Sequence, residues 1–214
     1  MDRSRGLLRL RHLQEATEAR GEEIAAERGR FQRLAHEDQS PRAVSAFNLF
    51  QTPPAIADRM IAAATEDGRE LGRVLEPSAG LGRLYQAIRR ADPACMVHLV
   101  EIEPALCAEL WRLVERDENA ILHRGDFLEP LPVVGGFDSI VMNPPFRLGR
   151  DVQHIERARL LLRPGGRLVA LCYDGAKQNA RLRPVVDRWE VLPAGSFKSE
   201  GTGAGVALAV IDGG

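Results

Sequence analysis

The sequence predicts an α/β fold, a parallel sheet with helices on both faces. Two observations predict it. From Gly72 onward, short apolar runs alternate with helical segments, and strands spaced this way need a crossover helix between each pair. The first run, residues 72–76 (GRVLE), ends in a glycine-containing turn that opens into a helix. This strand–turn–helix unit is the one from which parallel sheets are wound.

The elements follow in order. A helix is expected over 83–90 and a second strand over 95–101 (CMVHLVE). Pro104 suits the first position of a helix that continues over 105–114. Residues 120–123 make a short third strand and 137–142 (FDSIVM) a fourth, ended by Asn-Pro-Pro, which cannot continue a ladder. Asp151 is expected to cap a helix to Leu162, stopped by Pro164-Gly165-Gly166, before a fifth strand over 167–173. A helix over 176–189 and strands over 190–197 and 206–211 close the chain.

Ahead of these elements, residues 7–34 are rich in the helix formers Arg, Glu, Gln and Ala. Leu10, Leu13, Ile24, Phe31 and Leu34 approach a heptad seam, which Thr17, Arg20 and Glu27 interrupt. The segment is expected to be a helical arm packed on the main domain. A self-association or protein-partner contact through the arm is the alternative. Residues 36–41 (HEDQSP) make a linker, so the expected division is an arm over 1–41 and one domain over 42–214.

The chain has 214 residues, 44% hydrophobic and 28% charged, which excludes disordered, collagenous and disulfide-stapled classes. Its net charge of −1 excludes a uniformly basic nucleic-acid coat, but the charge is unevenly spread. Residues 143–200 carry 11 basic and 6 acidic side chains, so a polyanion would meet the C-terminal part. Cys95, Cys107 and Cys172 lack metal-ligand spacing and are expected to be buried thiols in a reducing compartment, with no metal site. The N-terminus has no secretory apolar region, and no apolar run approaches a membrane span, so a cytoplasmic protein without a membrane partner is expected.

Four clusters can carry chemistry. Glu76-Pro77-Ser78-Ala79-Gly80-Leu81-Gly82 ends the first strand, where glycines let a backbone approach a ligand; it is neither G-x-G-x-x-G nor a P-loop. Glu101, about 20 residues on, ends the second strand, where an acid can accept both ribose hydroxyls. Alternatively, Glu101 and Glu103 cap the next helix. Asp126 and Phe127 follow the third strand and suit an adenine's amine and face, or Asp126 is a turn residue. Asn143-Pro144-Pro145-Phe146 follows the fourth strand. Its prolines stiffen the loop, so that the Asn143 side-chain oxygen and the Pro144 carbonyl can accept both hydrogens of one planar amine. That pull favours a pyramidal nitrogen and frees its lone pair, while Phe146 offers the ring a stacking face.

The order FQTPP, LEPSAGLG, VEIEP, GDF, MNPPF, LRPGG over residues 47–212 resembles the class I S-adenosylmethionine-dependent methyltransferases that act on amines. Within them it is similar to DNA adenine-N6 methyltransferases with an upstream TPP segment. The resemblance implies a Rossmann-like, doubly wound, seven-stranded sheet with a reversed last strand. It implies S-adenosyl-L-methionine as cofactor: Thr52 and Pro53 approach its methionine part, Glu76, Pro77, Ser78, Gly80 and Gly82 line it, Glu101 holds the ribose, Ile102 packs on the adenine, and Asp126 and Phe127 bind that ring's edge. Asn143, Pro144 and Phe146 would hold the target base, with Asn143 also beside the cofactor.

A separate target-recognition domain, usual in those DNA enzymes, is not evident in the residues after NPPF. Arg147, Arg150, Lys177, Arg181, Arg183 and Lys198 are the candidate nucleic-acid contacts, each with a solvated charged face as its alternative. The 199–205 loop (SEGTGAG) can close over the site, and His154 is expected to be a helix-face histidine. The expected reaction is methylation of adenine N6 in DNA. RNA guanine N2, a protein glutamine amide, and a cofactor-binding subunit that needs a partner stand behind it.

Overall fold

The computed structural model describes residues 51–214, apart from 134, 201 and 202. The expected helical arm and its linker lie outside the described residues, as does part of the 199–205 loop. Seven strands form one sheet: β1 (Arg73–Glu76), β2 (Met96–Glu101), β3 (Ala120–Arg124), β4 (Phe137–Met142), β5 (Leu162–Tyr173), β6 (Arg188–Val191) and β7 (Val206–Asp212). Their spatial order is β3-β2-β1-β4-β5-β7-β6. β7 runs antiparallel to both of its neighbours, while β1 to β5 pair in parallel. The reversed last strand is therefore present.

The strands form because their side chains are buried on both faces. Val74, Leu75, Val97, Leu99, Ile140, Val141 and Leu168 are all fully buried, the near-continuous apolar run that a covered parallel sheet requires. Helices α1 (Pro54–Ala64), α2 (Arg83–Ala91), α3 (Pro104–Val114), α4 (Arg150–Arg159) and α5 (Ala176–Arg181) accompany the sheet. Each fully buried Leu or Ile contributes on the order of 1.5–3 kcal/mol.

Several expected elements differ. α1 was not expected; Pro54 starts it, and Met60, Ile61 and Ala64 bury its inner face. The helix expected over 176–189 stops at Arg181, because Pro184 lacks an N–H and the chain passes through a 3₁₀ turn (Arg183–Val185). Trp189 accordingly stands in β6, which ends at Val191. Pro164-Gly165-Gly166 lies inside the start of β5, since α4 has already ended at Arg159. Asp151 is not the α4 cap: left-handed Gly149 precedes the helix, and Asp151 is its second residue.

One buried charge positions the site. Arg167 of β5 donates to both Asp212 carboxylate oxygens at 2.7 and 3.0 Å, and to the carbonyl of Ala63 at 3.1 Å. The Asp212 carboxylate holds the Arg167 pKa above its ordinary value against the pull of burial. The last turn of α1 is thereby tied to the sheet, which sets where its first turn and Thr52 fall.

Candidate active site

The candidate residues gather at the carboxyl edge of β1 to β4. Because β1 pairs with β2 on one side and β4 on the other, the chain reverses direction of winding between β1 and β4. A crevice opens at such a point in parallel sheets. Glu76 ends β1, Glu101 ends β2, Asp126 follows β3 and Asn143 follows β4.

Gly80 and Gly82 both have left-handed backbones, φ 55° and 76°. A Cβ on Gly82 would also come within 3.0 Å of Leu110 and Leu113 on α3. This turn delivers the chain to the start of α2, where no side chain caps the first N–H groups. Glu101 holds the turn: its Oε2 accepts from Gly80 N–H at 2.8 Å, and its Oε1 accepts from the backbone N–H of Ile102 and Glu103 at 2.9 and 2.8 Å. Burial raises the Glu101 pKa, with those three N–H groups pulling the other way. Ile102, next along, is 57% exposed, an apolar side chain open to solvent beside the glycine turn.

Glu76, at the end of β1, is almost completely buried. Burial pushes its pKa well up, the Tyr85 backbone N–H opposes that, and the Glu101 charge adds to it. Its Oε2 is buried without a partner. Ser78 places its hydroxyl 2.8 Å from the Pro77 carbonyl and 3.2 Å from His154 Nδ1. Burial, then the Arg150 charge, lower the His154 pKa to about 4, and its Nε2 has no partner. His154 thus lies on a buried face of α4, as a prop beneath the glycine turn.

Asp126 and Arg150, expected to serve an adenine and a phosphate, bind each other: Arg150 Nη2 donates to both Asp126 oxygens at 2.8 and 2.7 Å. Burial would raise Asp126, but the Leu128 N–H and the guanidinium outweigh it and hold the carboxyl below its usual range. The Phe127 ring is buried in the core, 5.4 Å from the His154 ring.

After β4, Asn143 is half-buried, Pro144 buried and Phe146 half-buried. Asn143 Nδ2 donates to Thr52 Oγ1 at 3.1 Å, joining the segment before α1 to the loop after β4. Thr52 and Pro53 are both buried. Asp151, fully buried, accepts from the Tyr173 backbone N–H at 3.0 Å and from Gln178 Nε2 at 2.9 Å. It therefore locks the start of α4 to the end of β5 and to α5. Nothing in a single sequence signals this lock, because its partners lie more than 20 positions away.

Arg181 pairs with Glu156 at 2.6 Å, Arg183 donates to Asn179 Oδ1 at 3.3 Å, and Lys198 lies along Gly195. Lys177 lies against Gly149, and Arg147 is exposed. Cys95, Cys107 and Cys172 are buried free thiols, and burial pushes Cys107 up to about 12. Among the described residues no helix is long and apolar enough to cross a membrane, and no group of three His, Cys, Asp or Glu could hold a metal.

Solved structures share this sheet. TrmN from Thermus thermophilus superposes with a TM-score of 0.59 at 22% identity, over 75% of this chain and 48% of that one. The T. thermophilus 16S rRNA N2 G1207 methyltransferase RsmC, solved with AdoMet and guanosine, gives 0.56 at 23% identity, over 78% of this chain and 45% of that one. A methyltransferase from Pyrococcus furiosus gives 0.57 at 18%, over 83% and 88%. The chain thus matches about half the length of the two T. thermophilus proteins. No curated protein matches the chain. The methyltransferase small domain family model matches residues 54–198, most of the sheet and its helices. The chain therefore belongs to the methyltransferase small domain family, and its cofactor is S-adenosyl-L-methionine.

Proposed function

We propose that this protein methylates the N6 amine of adenine in DNA, with the base turned out of the stack toward Asn143, Pro144 and Phe146. The observation that carries this reading is the Thr52–Asn143 hydrogen bond. With Nδ2 committed to Thr52, the amide presents its oxygen on the opposite side, the orientation an acceptor for an amine needs. The upstream TPP segment, which favours DNA, is thus tied to the NPPF loop by a direct contact.

The residues present fit the cofactor. The unpartnered, buried Oε2 of Glu76 is a site for a cationic donor, and the methionine part of S-adenosyl-L-methionine carries an ammonium. Gly80 and Gly82 keep the turn free of side chains, Glu101 retains acceptor capacity for ribose hydroxyls, and Ile102 offers an apolar face to an adenine. When bound, this cofactor supplies an electrophilic methyl on a sulfonium: the amine N–C bond forms as the C–S bond breaks, and the surplus amine proton leaves to water.

The chain's own work is positioning and polarisation. Asn143 and the Pro144 carbonyl accept from the amine, drawing its hydrogens aside and freeing the lone pair. Phe146 fixes the plane of the ring. Arg147 is assigned to a backbone phosphate.

A second reading is methylation of guanine N2 in RNA. It is favoured by one observation: a structure with the same sheet, RsmC, was solved with AdoMet and guanosine. Guanine N2 is also an exocyclic amine and suits the same two acceptors. The test is incubation with methyl-labelled S-adenosyl-L-methionine and, separately, duplex DNA, single-stranded DNA and total RNA, followed by nucleoside mass spectrometry. Label in N6-methyladenine from DNA is expected. Label confined to RNA guanine would replace this reading with the second, and label in none of them, with cofactor bound, would indicate a missing partner or a protein substrate.

A further inference from the structure

Leu148 follows the NPPF loop by two positions and is 84% exposed. Its backbone is left-handed, φ 59° and ψ 16°, a conformation in which its Cβ crowds the chain. Gly or Asn would hold that turn without the crowding. Gly149 is left-handed too, φ 71°, and a Cβ on it would strike Lys177 Nζ and lie 2.9 Å from Cε. Two successive left-handed residues make a sharp turn and put the leucine at its tip.

The base of that turn is rigid. Arg150 is clamped to Asp126, and Asp151 is held by Tyr173 N–H and Gln178. Exposed Arg147 precedes the tip, and the Lys177 side chain lies along Gly149 behind it. An apolar tip between two cations, beside the pocket for an extruded base, has the chemistry of a stack-inserting wedge flanked by phosphate contacts. Leu160 provides the contrast. It is also 84% exposed, but it sits at the far end of α4 with an ordinary helical φ of −70°.

We propose that Leu148 enters the base stack where the target base leaves it, so that the substrate is a stacked duplex; this rests on the DNA reading above. The wedge fills the gap and slows the base's return, and the strained backbone aims it.

The test uses the full chain and a duplex DNA oligonucleotide of the sequence that the wild type methylates fastest. The same strand is also annealed to a complement with an abasic residue opposite the target adenine. Leu148→Ala and Leu148→Gln should each lower kcat/KM on the matched duplex about tenfold or more, yet less than about threefold on the abasic duplex, where little pairing opposes extrusion. Leu148→Met should stay within about threefold of wild type on both, and Leu160→Ala should change neither. Equal losses on the two duplexes, or full activity of Leu148→Ala on the matched one, would overturn the wedge alone. A wild type that methylates no DNA would instead overturn the DNA reading, and the wedge with it.

Discussion

Thr52 Oγ1 and Asn143 Nδ2 stand 3.1 Å apart although 91 positions separate them. The contact exists because Arg167 ties the end of α1 to β5 and β7, so that Thr52, just before α1, meets the loop after β4. A residue assigned to the cofactor side thus orients the residue assigned to the target base.

Asn143→Ala should lower turnover on order of 10²–10³-fold while cofactor affinity, read by calorimetry, changes little. Thr52→Val should lower kcat about 3–10-fold, the worth of one neutral hydrogen bond, and Thr52→Ser should recover it. In the double variant the Thr52 effect should vanish. Persistence of the full Thr52 effect in an Asn143→Ala background would mean that Thr52 does not act through the amide.

Glu76 gives a prediction with two opposed parts. Its folded pKa lies above its unfolded value, so its contribution favours folding below the unfolded pKa and is lost as pH rises through the folded one. Glu76→Gln should therefore raise the melting temperature of the cofactor-free protein at neutral pH, by about 2–4 °C per kcal/mol regained. The same variant should bind S-adenosyl-L-methionine more weakly. Unchanged or tighter binding would remove Glu76 from the cofactor site.

His154 has the opposite sign. Its folded pKa of about 4 lies below its unfolded value, so its contribution is present above the unfolded pKa of about 6.5 and is lost as pH falls toward 4. Relative to His154→Gln, the wild type should lose about 3 kcal/mol of folding stability across that window, measured by denaturant titration. Parallel curves for the two proteins would show that His154 is solvated.

Arg147 and Arg150 should separate on DNA. Arg150 is already paired with Asp126, so Arg150→Gln should leave the slope of log K against log salt unchanged. Arg147→Gln should reduce that slope by about 0.9, one phosphate contact. Equal reductions would mean that Arg150 leaves Asp126 when DNA binds.

Sequence by itself determined the strand–helix alternation of the domain, because period and turn chemistry are local: α3 begins at Pro104, and β4 spans the predicted residues 137–142. It also determined that Glu76, Glu101, Asp126 and Asn143 share one sheet edge, since parallel strands put all their carboxyl ends on the same side. Pro184, visible in the sequence, ends α5 early, which the helix expected over 176–189 did not allow for. Only the tertiary structure decided how those candidates pair. Arg150 takes Asp126, His154 goes beneath Ser78, and Asp151 bridges to Tyr173 and Gln178 instead of capping its own helix. Each of those partnerships joins residues from separate elements, and the desolvation that selects them begins when the elements pack together.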